Sequence, residues 1–129
     1  MTKTVSVPTA DVFTRLWIHE CSRVFNDRLI NEEDRKFFRD IVHDILKSKF
    51  KVNWNKEEIF EGKSQVIFSM LLRLDADEKL YEEITDKNKL LKMLEDKLTD
   101  YNISNTNKMD LVFFDDAINH ICRISRILR

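Results

Sequence analysis

The arginines are the residues of this sequence best placed to do chemistry. Arg23, in HECSRVF, and Arg28, in NDRL, lie in a stretch whose other positions are largely apolar. A desolvated guanidinium there is costly unless an acid, a carbonyl or a ligand faces it. Glu20 or Asp27 would answer that need within the chain. The other answer is a phosphate, which the planar fork of an arginine can meet with two parallel hydrogen bonds. A second row, Arg123, Arg126 and Arg129, recurs every third residue near the C-terminal end. Such a row suits the negative end of a helix dipole, or a contact with a neighbouring domain.

Other candidate chemistry fails on spacing. His19-Glu20 begins like the zinc motif H-E-x-x-H, but position 23 is arginine, so the second ligand is missing. His19, between Trp17 and Cys21, reads as a satisfied core or interface group, and His43 and His120 have only ordinary acids as neighbours at helical spacing. Asp75, Asp77 and Glu78 suggest a calcium loop, which needs glycine at its sixth position and glutamate at its twelfth. Leu80 and Asp86 stand there, so this is a solvated acidic loop. The lone glycine, Gly62, rules out both G-x-x-x-x-G-K-[ST] and G-x-G-x-x-G phosphate loops. With no serine or cysteine nucleophile beside a recognisable base, we expect neither catalytic nor metal-binding residues.

Composition limits the partners. In 129 residues, 22 Lys+Arg stand against 23 Asp+Glu for a net charge of -1. No global field attracts nucleic acid or an anionic membrane. No apolar run approaches the roughly 18 residues of a membrane span, and MTKTVSVPTADVF has no signal-peptide core. The two cysteines, Cys21 and Cys122, read as reduced thiols of an intracellular protein. The expected setting is the cytosol or a larger assembly.

These residues must be positioned by helices, because one glycine and one proline cannot supply the turns of an all-β domain. Thr9, after Pro8 and before Asp11, is a helix cap. The first helix then aligns Phe13, Trp17, Cys21 or Glu20, Val24 and Arg28 on one stripe and Ile18, Phe25 and Leu29 on another, an apolar surface wide enough to be wedged between partners. Asn31 caps a second helix through residue 50, with Phe37, Phe38, Ile41, Val42, Ile45 and Leu46 on its apolar face. Residues 51–64 lose the period, and QVIFSML (65–71) is the one short extended segment, which requires a strand partner elsewhere. A third helix follows cap Asp86, with Leu90, Leu91, Leu94, Leu98 and Tyr101 on one face. The polar loop 102–110 closes on Asp110 as the next cap, and the last helix buries Leu111, Phe114, Ile118, Ile121 and Leu128. The fold class is all-α, a small bundle of about four main helices with at most one short extended segment.

The block LWIHECSRVFNDRLINEEDRKFF (16–38) is similar to the dynein heavy chain, in the helical lid subdomain of its third AAA+ module. LYEEITDKNKLLKMLEDKLTDYN (80–102) and DLVFFDDAINHICRISRILR (110–129) resemble the same family in the same order. The wording around Arg28 and the acids before Arg35 resemble axonemal more than cytoplasmic heavy chains. The resemblance implies a lead-in at 1–8, a lid subdomain at 9–109, and at 110–129 the helix leading into the fourth AAA+ module. It also implies a role for Arg23 as the second sensor, the lid arginine that reaches the terminal phosphate of a bound nucleotide, with Arg15 as the fallback position. Arg123 and Arg126 become candidates for inter-module contact.

In the parent, the resemblance implies ATP or ADP with magnesium, adjacent AAA+ modules of the same heavy chain, other dynein subunits, microtubules, and a place in the cytoskeleton of a cilium or flagellum axoneme. The segment itself, lacking a phosphate loop, is expected to hold no cofactor and hydrolyse nothing alone. A reading from a different class is a self-contained helical interaction module that takes a partner helix in a groove beside Trp17 and Phe25.

Overall fold

A computed structural model of the chain describes residues 9–61, 65–73, 76–77 and 80–128. The lead-in 1–8, Gly62, Asp75, Glu78 and Arg129 lie outside the described residues. The chain divides into two compact units, the first ending at Val66 and the second starting at Ile67.

The first unit is helical. α1 (Ala10–Val24) begins as its sequence suggests, with the Thr9 hydroxyl accepting from Val12 N–H at 3.3 Å and Asp11 in the first turn. It buries a different stripe from the expected one. Thr14, Ile18, His19 and Ser22 are inside, while Phe13, Val24 and Phe25 are exposed. Two hydroxyls can line this interior because each donates to its own helix, Thr14 to the Ala10 carbonyl and Ser22 to the Ile18 carbonyl, both at 2.9 Å. That removes the cost of burying them. α1 stops before Phe25 after 15 residues, and a 3-10 turn, Asn26–Arg28, stands where the helix would continue. Arg28 and Leu29 therefore do not continue the α1 stripes.

α2 (Glu32–Ile45) has Asn31 at its cap position, without a side-chain capping bond, and three acids in its first turn, which favour the positive end of the dipole. It runs into a π-helical turn, Leu46–Phe50. Lys51 then ends the segment in the left-handed region, at φ 59 and ψ 31, and the N–H groups of Lys51 and Val52 both bond the Leu46 carbonyl. A lysine holds this position where glycine is usual. Trp17 packs on Phe50, ring centroids 4.9 Å apart.

A short α3 (Lys56–Phe60) occupies the stretch expected to be a connector. Lys56 donates to Asp40 at 2.5 Å, and this bond, followed by neighbouring positive charge, holds the Asp40 carboxyl below its ordinary range. Ile18, Val42, Leu46, Ile59 and Val66 are the buried apolar residues of this unit.

In the second unit, β1 (Phe68–Ser69) pairs antiparallel with β2 (Glu82–Glu83), Phe68 opposite Glu83. The strand partner that QVIFSML requires thus lies in the stretch that reads as acidic. Phe68 and Tyr81 bring their rings to 5.9 Å beside it. α4 (Lys87–Ser104) starts where expected: an Asp86 carboxylate oxygen accepts from Asn88 N–H at 2.9 Å and Lys89 N–H at 3.3 Å. Leu90 and Leu94 are buried, whereas Tyr101 is exposed.

α5 (Asp115–Ile127) begins after Phe114, not after Asp110. Its buried residues are Ile118 and Cys122, while Leu111, Phe114 and Leu128 are exposed. The helix starts after Phe114 without a side-chain capping bond, and Asp115 and Asp116 provide the acids of its first turn. The core of this unit joins Ile67, Leu71, Ile84, Leu90, Leu94, Ile118 and Cys122. Among the described residues, four long helices, one short one and a two-residue strand pair agree with the expected mostly helical class.

Candidate functional site

The first unit holds a small polar cleft of about 110 Å³ into which three arginines converge. α1 contributes Ser22 and Arg23, the 3-10 turn Asn26, α2 Arg35 and Arg39, and the segment after α3 Glu61 and Gln65. Ile18, Ile59 and Val66 form the apolar wall, each buried.

Arg23 is the most enclosed of the three. Its side chain is 9% exposed, and Nε stands 3.1 Å from Oδ2 of Asp27, one helical turn on and 22% exposed. This is one of the two intrachain partners that the sequence offered, at the i, i+4 spacing that brings side chains together. Arg35 donates from Nε to the Leu29 carbonyl at 3.0 Å, and so ties α2 to the turn before it. Arg39 bridges Glu61, at 2.5 Å, and Glu32. The buried Oδ1 of Asn26 has no hydrogen-bond partner among the described residues. A lone buried acceptor is satisfied by a donor, and the same amide turned end for end presents Nδ2 as a donor instead.

The cleft is therefore a set of guanidinium groups held by acids and a carbonyl, with room for a phosphoryl group or a few waters and not for a nucleoside. Any nucleotide base and metal ion would have to lie outside these residues. Among the described residues no group of three or more histidine, cysteine or acidic side chains could hold a metal ion.

The other candidates lie elsewhere. Arg15 stacks over the Trp54 ring, 5.7 Å from its centroid, and does not line the cleft. Arg123 and Arg126 are half-buried on α5 in the second unit. His19 is buried at 3% exposure, and its Nδ1 lies 3.3 Å from the Val66 carbonyl. A proton on Nδ1 makes this a satisfied core histidine. His43 is half-buried and His120 exposed. Cys21 and Cys122 are free thiols, and burial, then the Glu20 charge, push the Cys21 thiol above its ordinary value.

Sequence reasoning missed Arg35, Arg39 and Asn26 as neighbours of Arg23. The two arginines sit on the charged face of an amphipathic helix, and only the long-range pair with Glu61 distinguishes Arg39 from a solvated residue. A second depression, about 600 Å³, is almost wholly apolar and runs from Trp17, Cys21 and Phe25 on the α1 side to Phe37 and Ile41 on α2. Phe25 and Phe37 are 59% and 66% exposed there, so the groove proposed beside Trp17 and Phe25 exists.

Comparison with known proteins gives this geometry a context. Residues 2–61, nearly all of the first unit, match the family described as AAA+ lid domain. Over 115 residues, 89% of the chain, the sequence is 44% identical to dynein axonemal heavy chain 1 of Mus musculus and 43% identical to that of Homo sapiens. It is 38% identical over 117 residues to dynein axonemal heavy chain 6 of Homo sapiens. The chain spans only 3% of the length of each of these relatives.

Proposed function

From a chain that is a dynein heavy chain homologue over most of its length and carries an AAA+ lid segment, we propose a non-catalytic lid. It completes the nucleotide site of one module in an ATP-driven microtubule motor and passes the state of that site to the next module. The observation that carries this reading is Arg23, on the first helix of the matched lid segment, enclosed in a cleft of phosphate size.

The physics of the site supports a sensor. A terminal phosphate carries more negative charge than Asp27, so it can compete for the Arg23 guanidinium across a few ångströms of partly desolvated space. Arg23 would then exchange part of its ion pair with Asp27 for phosphate oxygens, and Asn26 in its flipped state would add a donor. Because Arg23 is fixed to α1 and Arg35 ties α2 to the same turn, the exchange would move both helices together. Closing on ATP and relaxing when the terminal phosphate leaves is the expected cycle. ATP or ADP with magnesium would be held mainly by groups outside this chain, the metal supplying charge neutralisation on the phosphates.

The rest of the assignment follows from the parent. Residues 9–109 would form the lid and 110–129 the passage into the next module, with Arg123 and Arg126 contacting that module. The parent's partners would be its own AAA+ modules, other dynein subunits and microtubules, in the cytoskeleton of an axoneme. No helix among the described residues is long and apolar enough to cross a membrane.

The test is reconstitution. The chain alone should bind ATP–magnesium negligibly, and binding should appear when a phosphate-loop subdomain from the same module is supplied with it. Failure of the chain to raise the affinity of that subdomain at all would remove the lid reading.

One observation favours the second reading, a self-contained module for a partner helix: the apolar groove of about 600 Å³ with Phe25 and Phe37 exposed. A chain of that kind would stay monomeric and bind an amphipathic helix through this groove whether or not nucleotide is present. A lid would instead expose the groove only when separated from its ring.

A further inference from the structure

The second unit contains an apolar segment outside its helices and its strand pair. Asn102, in the last turn of α4, clamps Met109 with two bonds: its Nδ2 donates to the Met109 carbonyl at 2.8 Å, and its Oδ1 accepts from Met109 N–H at 2.7 Å. The side-chain amide thus acts as one rung of a β-ladder and fixes where the chain leaves the loop. At the other end Phe114 is extended, φ -101 and ψ 168, and α5 begins at Asp115.

Between these two anchors, residues 110–113 form no helix or strand, and their backbone groups have no hydrogen-bond partner among the described residues. Apart from Phe113 the side chains of this segment face solvent, Leu111 being 50% exposed. Phe113 packs against the core of the unit, while Val112 is 77% and Phe114 61% exposed. Val and Phe are residues that favour strands.

We propose that residues 110–114 are an edge held ready for a partner strand, and that the occupant is an apolar extended segment flanked by basic residues. Unpaired backbone groups on an apolar segment are the requirement for strand addition. Charge selects the occupant. Asp110 stands at one end and Asp115 and Asp116 at the other, all exposed. Antiparallel pairing with a second copy about Val112 and Phe113 would set Asp110 opposite Asp115, and parallel in-register pairing would set each acid on itself. Like charges directly opposite are unfavourable, so self-pairing is disfavoured, whereas lysine or arginine at both ends of the incoming strand is favoured. Asn102 is the positioning residue, since it fixes Met109 at the start of the segment and spares part of the entropy of ordering it. The inference uses only the second unit and stands apart from the nucleotide reading.

The test uses the full chain and two blocked synthetic peptides of alternating valine and threonine, one ending in lysines and one in glutamates. Amide exchange at residues 111–113 is followed by nuclear magnetic resonance. At saturation the lysine-ended peptide should slow every second amide at least tenfold, because alternate backbone groups face one strand neighbour. The glutamate-ended peptide should bind at least tenfold more weakly. Val112→Pro, which removes an exposed, unpartnered N–H, should abolish protection. Asn102→Ala should weaken binding threefold or more while leaving the exchange of α4 core amides at Leu90 and Leu94 unchanged. Equal binding of the two peptides, equal binding by the proline variant, or slowed exchange that grows with protein concentration in the absence of peptide would overturn the proposal.

Discussion

The ion pair between Arg23 and Asp27 should behave as a coupled unit whose two halves are unequal. At 3.1 Å the gross attraction in a medium of effective dielectric 20 is about 5 kcal/mol. Desolvation of the arginine, 9% exposed, cancels much of it, while Asp27, 22% exposed, stays partly hydrated. The net coupling should come to about 1–2 kcal/mol, above the 0.2–1 kcal/mol range of exposed pairs. Removing Asp27 leaves a buried guanidinium with a lost partner, and removing Arg23 leaves an acid that can turn to water. Asp27→Ala should therefore cost more than Arg23→Met, which keeps the aliphatic packing. Urea unfolding of the parent chain, both single variants and the double variant gives all four corners of the cycle, and urea adds no salt to screen the pair. A coupling below about 0.3 kcal/mol, the usual limit of additivity, or an Arg23→Met cost equal to or greater than that of Asp27→Ala, would refute this account of the cleft.

Three further outcomes follow from single features. Lys51→Gly should stabilise the first unit by about 0.5–1 kcal/mol in urea unfolding, because glycine takes the left-handed conformation without a Cβ clash. Asp86→Ala should cost about 1 kcal/mol, and faster amide exchange at Asn88 and Lys89 would locate the loss at the start of α4. The Cys21 thiol has its pKa raised by burial and by Glu20, so thiolate appears only at higher pH than in an unfolded chain. Its contribution to stability is complete below the unfolded pKa and is lost as pH rises through the folded one. Alkylation at neutral pH should be slower in the native chain than in urea, with the native rate profile displaced to higher pH.

The helices were legible where one local signal decides. Thr9 and Asp86 mark helix starts through side-chain bonds made within three residues, and the Leu90 and Leu94 face of α4 follows from period alone. Signals weaken where distant residues decide. α1 buries Thr14 and Ser22 because their hydroxyls are satisfied inside the helix, which no hydrophobicity pattern records. The start of α5 was placed too early because Asp110 resembles a cap, yet the preceding loop is taken up by Asn102 and Met109. The ion pair of Arg23 with Asp27 was among the two pairs anticipated, being local. Arg35 and Arg39 were not anticipated, since their place in the cleft depends on Leu29 and Glu61. The residues alone left a phosphate as one of two answers for Arg23, and its role as a second sensor arose from likeness to a family.

The central claim, that Arg23 reads the terminal phosphate of a nucleotide, is tested most directly by comparing ATP and ADP affinity in the whole parent module with and without Arg23→Met. A charge-assisted bond is worth about 1.5–3 kcal/mol. Loss of Arg23 should therefore lower ATP affinity by about ten- to a hundredfold while leaving ADP affinity nearly constant. An unchanged ratio of ATP to ADP affinity would contradict the account.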